Sequence, residues 1–362
     1  MKNITSKAFI ALLAVLFISD NLDPHRAFSE YEKRVLASIP KWDLDALIDG
    51  SLTLDLESAI NDQFIGRDLW IQLKAKLESS LGKVENNGIL LGKQGVLFEK
   101  RLTLNPQALD NVKYIKEFLE MVSDLKVTTV LVPNKEAINP EHLPTGFPML
   151  DQLELLNEWK KNISLLDISD ELKAQSSQDL YYKTDHHWTL KGAYVAYETL
   201  MKAWGYEVKS FESFSPYTVE GFLGTYYNRS RFDFIKAESL AIINPDIISY
   251  ETDGKTYTSL INTEALKGND PYGTFLYGNH GYGHIVVKNV VSPRRLLVIK
   301  DSYANSLIPM MTSAFDEIDV IDLRQYNGSL QALLKQQTYD QILLLQSFNQ
   351  FSDEINEAKL RY

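Results

Sequence analysis

Short uncharged runs of apolar, often β-branched residues recur along this chain, and most are followed by a segment whose apolar positions repeat at helical spacing. Residues 127–132, 164–168, 296–299, 318–323 and 341–345 read as strands, too apolar to have one face in water. Between them the spacing predicts helices over 106–125, 189–204, 304–314 and 329–336. Strands of this kind alternating with helices indicate a parallel sheet covered on both faces, so the expected fold class is a three-layer α/β/α domain.

Three stretches break the rhythm. Residues 28–81 are charged and amphipathic, with Ile60, Phe64, Leu69, Ile71 and Leu73 interleaved among acids and bases, and read as a helical lead-in. In residues 86–100, Gly88, Gly92 and Gly95 separate two short apolar pieces, which predicts a hairpin. A phosphate loop is excluded there, because the glycine spacing is wrong and Gln94 stands where a hydroxyl residue is required. Residues 206–291 are rich in Gly, Tyr and Phe and read as a β-rich insertion.

The N-terminus has its own pattern. Lys2 and Lys7 precede a run over 8–18 with no polar residue, and Asp20 and Asp23 follow. The run is about half the roughly twenty residues a spanning helix needs, which suits the apolar core of an export signal. Residues 1–27 are therefore expected to be a signal peptide or an N-terminal membrane anchor, and residues 28–362 one extracytoplasmic domain, secreted or held at the cell envelope.

Composition narrows the chemistry. The 362 residues carry 37 Lys plus Arg against 48 Asp plus Glu, a net charge of −11, and no basic cluster suited to phosphates, which argues against a nucleic-acid partner. There is no cysteine, so disulfides, thiolate nucleophiles and iron–sulfur clusters are excluded. Imidazole chemistry is limited to six histidines: His25, His142, His186, His187, His280 and His284.

In doubly wound sheets ligands collect beyond the carboxyl ends of the strands. There, the run over 296–299 leads into Lys300, Asp301, Ser302 and Tyr303 at the start of a helix. A serine so placed lies beside free backbone N–H groups that can stabilise an oxyanion, or else Asp301 or Ser302 caps the helix. Ahead of the helix beginning near residue 189 stand Asp185, His186, His187 and Trp188. A serine nucleophile needs a base, and the base needs a carboxylate to fix its tautomer, and both occur here. Capping and a metal pair are the competing readings of this segment. His280 and His284 are four apart, but Gly281 and Gly283 between them argue against a helical metal site.

Asp185-His186-His187-Trp188 is similar to the signature of the bacterial DHHW proteins, relatives of the SGNH-hydrolase-like proteins that O-acetylate alginate. Residues 28–34, 87–98, Val132-Pro133-Asn134-Lys135 and the Lys-Asp-Ser-Tyr-Ala-Asn-Ser segment within 297–308 resemble that family in the same order. The resemblance implies an SGNH-hydrolase-like, flavodoxin-like fold in which Ser302 is the nucleophile, His187 the general base and Asp185 its orienting carboxylate, with His186 at a variable position. The chain departs from ordinary SGNH enzymes in having Lys-Asp-Ser rather than Gly-Asp-Ser, which leaves the oxyanion donors open. Asn279, Arg324, Tyr303 and Thr225 are the candidate oxyanion or substrate-binding residues, beside the Ser302 backbone N–H. Asn279 could equally hold a turn and Arg324 a surface ion pair. Thr225, Tyr226 and Arg229 line either a polysaccharide groove or ordinary β core.

The function implied is O-acetyl transfer to a cell-surface polysaccharide through an acyl-serine, with a membrane O-acyltransferase as partner and no cofactor or metal. The alternatives are a carbohydrate O-acetylesterase, a non-catalytic polysaccharide-binding or assembly protein, and a metal enzyme using His186, His187 and His284.

Overall fold

The computed structural model describes residues 2–29, 34–268, 270–288 and 293–362. Residues 30–33 of the first family-like block, and 289–291 at the end of the expected insertion, lie outside the described residues. The chain divides into two compact units, Met1–Asn87 with Asn228–Phe234, and Gly88–Tyr227 with Ile235–Tyr362. The domain expected over 28–362 runs through both.

In the first unit, helix Lys2–Leu22 holds the N-terminal apolar run, and helices Ser51–Gln63 and Arg67–Ser80 carry the amphipathic lead-in over 28–81. Buried Asp62 organises it by accepting hydrogen bonds from the Arg34 guanidinium at 2.6 and 2.7 Å and from Ala37 N–H at 2.8 Å. Among the described residues no helix is long and apolar enough to cross a membrane.

The second unit is built on a seven-stranded sheet. In chain order its elements are β1 (Val127–Val132), β2 (Ile247–Thr252), β3 (Lys255–Tyr257), β4 (Tyr282–Val287), β5 (Arg295–Lys300), β6 (Glu317–Ile321) and β7 (Gln341–Ser347). Their spatial order is β3-β2-β4-β6-β5-β7-β1. Helices α1 (Gln107–Met121), α2 (Leu190–Trp204), α3 (Ala304–Met311), α4 (Leu330–Gln336) and α5 (Phe348–Asp353) pack against it. Alternate residues feed two cores: Leu296 and Val298 join the α2 and α3 side, Leu297 and Ile299 the α1, α4 and α5 side.

Two expectations need correction. The sheet is mixed rather than parallel: β6, β5, β7 and β1 run parallel, whereas β4, β2 and β3 are antiparallel. Those three strands come from the expected β-rich insertion and extend the main sheet, with Asp253 and Gly254 at φ of 48° and 71° making the tight turn between β2 and β3. Residues 164–168 form no strand. Leu166 N–H donates to Thr129 O, but Asp167 then pairs with Lys160 and accepts from Ser169 N–H, turning the chain into helix Ser169–Ala174.

Beside the carboxyl end of β7 lies a buried acid–amide pair. Gln346 Nε2 donates to Glu357 Oε1 at 2.7 Å, while among the described residues Gln346 Oε1 and Glu357 Oε2 have no partner. Burial pushes the Glu357 carboxyl up to about 7, and its protonated form supplies the one hydrogen this pair lacks. Because the folded value is raised, the stability it contributes is full below the unfolded value of about 4.3 and is lost as pH rises through 7. Glu357→Gln is therefore expected to be more stable than the parent protein at pH 8, by up to about 3 kcal/mol, with the advantage shrinking toward pH 5. Denaturant unfolding at the two pH values checks this, and a pH-independent difference contradicts it.

Candidate active site

The site is assembled from two segments more than a hundred residues apart, both in the second unit. Strand β5 ends at Lys300, and the turn Asp301-Ser302-Tyr303 leads into α3. Buried Asp301 ties this turn to the end of β7, accepting from Tyr303 N–H at 2.9 Å, from Ser347 N–H at 2.7 Å and from Ser347 Oγ at 2.8 Å. Asp301 is thus committed to holding the turn, and the buried Ser302 keeps its hydroxyl for a partner outside the turn.

The second segment is the loop between Tyr181 and Trp188, which an isolated β-bridge between those two residues closes before Thr189 caps α2. Its backbone is held from several sides. Glu238 accepts from Lys183 N–H, Thr184 N–H and Thr184 Oγ1. The buried Lys135 ammonium donates to Tyr182 O at 2.6 Å, and Leu97 N–H, from the hairpin Ile89–Leu91 with Leu97–Glu99, donates to Lys183 O. The two segments are also bonded to each other: Trp188 Nε1 donates to Tyr303 O at 2.9 Å, and the Tyr303 hydroxyl donates to His186 O.

Within this frame Asp185, His187 and Ser302 form one hydrogen-bonded line. Asp185 Oδ1 accepts from His187 Nδ1 at 2.6 Å and from His187 backbone N–H at 2.9 Å. An ionised carboxylate can only accept, so the ring proton sits on Nδ1 and Nε2 is left to accept from Ser302 Oγ at 2.7 Å. Burial alone pushes the Asp185 carboxyl up, but the His186 and His187 imidazoles, with the hydrogen bonds from His187 and Thr225, hold it well below the usual carboxylate range. An imidazole so oriented can take the serine proton, and the carboxylate stabilises the cation that results.

The His187 ring is enclosed on both faces. Tyr272, on the turn Pro271–Thr274, stacks at 3.6 Å and 8°, and its hydroxyl donates to Ser306 Oγ. His186 lies 3.8 Å away on a tilted plane, with Nδ1 3.4 Å from Asp185 Oδ1. Burial and the neighbouring His187 lower the His186 imidazole to about 4 against the pull of Asp185, so it is neutral at neutral pH. The family resemblance makes His186 a variable position, whereas here it lies against the His187 ring and close to the Asp185 carboxylate.

The other candidates have mixed placements. Thr225 contributes through its backbone, its N–H donating to Asp185 Oδ2 at 2.7 Å. Tyr303 is fully buried, and its hydroxyl and N–H are taken by Asn134, His186 and Asp301. Arg324 is gripped by Asp322, with Nε donating at 2.8 Å. Asn279 Oδ1 accepts from Lys300 Nζ at 2.9 Å and from Asn305 Nδ2 at 3.1 Å, which leaves its own NH2 as a donor. Arg229 falls in the other unit. His280 pairs with Asp253 and His284 with Asp319, so the structure does not bring His284 to His186 and His187. Asp185, His186 and His187 have ligand-type atoms within 4.8 Å of one another, but Asp185 Oδ1 and His187 Nδ1 are already bonded to each other.

Sequence reasoning missed Tyr272, Lys135, Glu238 and Gly224. Two of them had a legible signal: Lys135 ends the family-like block Val132-Pro133-Asn134-Lys135, and Gly224 ends the apolar piece Gly221-Phe222-Leu223-Gly224. A methyl group at Gly224 would come within 2.6 Å of Asp185 Cγ and closer still to its Cβ and Oδ2. Gly224→Ala is therefore expected to push Asp185 off His187. In proton NMR the far-downfield Nδ1–H resonance of His187 should be lost in that variant, and an unchanged resonance would show that the loop absorbs the methyl group.

The probable alginate O-acetylase AlgJ of Pseudomonas syringae pv. tomato is 27% identical over 168 residues, which is 42% of this chain and 43% of that protein, so the chain spans under half the length of that relative. Among solved structures, a DHHW family protein from Eubacterium siraeum superposes with a TM-score of 0.66 at 24% identity, covering 77% of this chain and 96% of that one. PatB1 of Bacillus cereus superposes with a TM-score of 0.63 at 20% identity, covering 74% and 98%. At these identities the likeness is one of fold. The DHHW protein family model matches residues 151–321, just under half of the chain; the match takes in Asp185, His186, His187, Trp188 and the segment around Ser302, while the family-like blocks at 28–34, 87–98 and 132–135 lie outside it.

Proposed function

We propose that this protein is an exported O-acetyltransferase that passes acetyl groups to a cell-surface polysaccharide through an acyl-serine at Ser302. The observation that carries the reading is the line from Asp185 through His187 to Ser302 at the carboxyl edge of the sheet. Export rests on the N-terminal pattern of lysines, apolar run and acids, and the substrate class on the likeness to a probable alginate O-acetylase. A membrane O-acyltransferase is the partner proposed to deliver the acetyl group.

In the first half-reaction His187 Nε2 takes the Ser302 proton as Oγ attacks the carbonyl carbon of the acetyl donor. The C=O electron pair moves onto oxygen, and that oxyanion needs donors. The Ser302 N–H has no partner among the described residues, and the Asn279 amide is the second donor proposed. Collapse breaks the bond to the donor alcohol, which leaves with the proton from His187. In the second half a sugar hydroxyl gives its proton to His187 and attacks the acyl-serine, and Ser302 Oγ departs and recovers the proton. Transfer outcompetes hydrolysis only where the sugar hydroxyl is held in place, since oriented groups reach effective molarities of roughly 10⁵ M or more against water at about 55 M.

Ser302→Ala and His187→Ala are each expected to lower turnover of a small acetyl ester by at least ~10³-fold, with the double variant little worse, because such residues act as a unit. Retained turnover in either variant overturns the mechanism, and loss of turnover on chelation would favour a metal site at Asp185, His186 and His187. Supplying surface oligosaccharides to the acetylated protein separates the outcomes: acetylated sugar supports the transferase, and free acetate with every glycan supports an esterase.

A further inference from the structure

Where ordinary SGNH sequences place glycine two residues before the serine, this chain places Lys300, and its side chain is buried. A buried ammonium is costly unless every proton finds an acceptor. Nζ donates to Asn305 Oδ1 at 2.7 Å and to Asn279 Oδ1 at 2.9 Å, and lies 3.6 Å from Asp322 Oδ2. Asp322 takes its hydrogen bonds from Arg324, which grips both carboxylate oxygens, so Lys300 meets it by charge at the longer distance. The short contacts of Lys300 therefore go to two asparagines, one of which, Asn305, donates its N–H to Ser302 O and its Nδ2 to Asn279 Oδ1.

These contacts decide which way the Asn279 amide faces. With Oδ1 taken by a cation and by a second amide, the NH2 group is turned to the other side and is the donor that Asn279 has left. The backbone leading to Asn279 is held in an unfavourable shape: Leu276, Tyr277 and Gly278 have φ of 54°, 59° and 98°. Leu276 N–H bonded to Leu260 O, and the Tyr277 ring stacked on Tyr257 at 3.7 Å, keep it there. Such a run of left-handed residues persists only where its surroundings over-determine it.

We infer that Lys300 is a positioning residue, whose ammonium locks the Asn279 carboxamide with its NH2 aimed at the oxyanion that forms when Ser302 attacks. The inference rests on the acyl-serine reading proposed above and adds to it the origin of the second oxyanion donor. It also explains how Lys-Asp-Ser replaces Gly-Asp-Ser: lysine supplies by charge and hydrogen bonding an orientation that glycine cannot.

The test uses the full chain and steady-state hydrolysis of a small acetyl ester. Lys300→Met, close in length and without charge, is expected to lower kcat by about 10²-fold, as loss of an oxyanion donor does, with KM changed by less than about threefold. Asn279→Ala should lose a similar factor, and the double variant should be within about twofold of either single variant, because lysine acts through the asparagine. Parent-like kcat in Lys300→Met, or losses that multiply in the double variant, overturns the inference. Should Lys300→Met not fold, Asn279→Asp keeps the contact to Lys300 and replaces only the NH2; it is expected to lose at least ~10²-fold in kcat, and parent-like kcat there overturns the inference equally. If Ser302→Ala in the same assay retains full turnover, the acyl-serine reading itself fails, an outcome distinguishable from the others.

Discussion

The structure depends on satisfying one buried carboxylate. Asp185 is 2% exposed and ionised, and a lone carboxylate in that position would be strongly destabilising. Its oxygens accept from His187 N–H, His187 Nδ1 and Thr225 N–H, and Gly224 is the residue that lets the adjoining backbone come close enough to donate. Meeting that need fixes the tautomer and plane of His187, which leaves Nε2 directed at Ser302. The hydrogen bonds that stabilise the buried carboxylate are the ones that orient His187 toward Ser302.

Holding the two segments in register takes a second, larger polar network. Asn134, just beyond β1, donates to the Tyr303 hydroxyl and accepts from Asn349 N–H, and its own N–H donates to Gln152 Oε1. Tyr303 in turn donates to His186 O, and Trp188 reaches across to Tyr303 O and Ser306 Oγ. A satisfied buried network of this kind is rigid and specifies one geometry, which the acyl-serine mechanism proposed above requires of Ser302 and His187. Tyr272 adds the face of the imidazole that hydrogen bonds leave unguarded, and it brings the segment between His187 and Ser302 into the site.

Much of the parallel half of the fold was legible because its strands are apolar on both faces and its helices strongly periodic. Strand β1 covers the residues expected, β5 is longer than expected by one residue at each end, and α2 starts one residue later. The antiparallel half was not legible as part of the same sheet, because β2 and β4 alternate buried with partly exposed positions, β3 has three residues, and the three join the sheet only through the pairing of β4 with β6 further along the chain. Residues 164–168 have the composition of a strand, but the Asp167 side chain captures the backbone for a helix start, a local competition that apolar runs do not reveal. At the site, Asp185, His187 and Ser302 were singled out through the resemblance of their two segments to the DHHW proteins, since spacing alone left a helix cap and a metal pair open, and the structure joins the three by hydrogen bonds. The role of Tyr272 and the bond from Lys300 to Asn279 were not, since each joins residues whose proximity only the folded sheet creates.

The central claim is that Ser302 Oγ becomes covalently acylated. Intact-protein mass spectrometry after brief exposure to an activated acetyl ester, with peptide mapping of the product, measures this directly. The expected result is a single added acetyl group on the peptide containing Ser302, absent in Ser302→Ala and formed far more slowly in His187→Ala. Acetylation confined to surface lysines, equal in both variants and the parent protein, would contradict it.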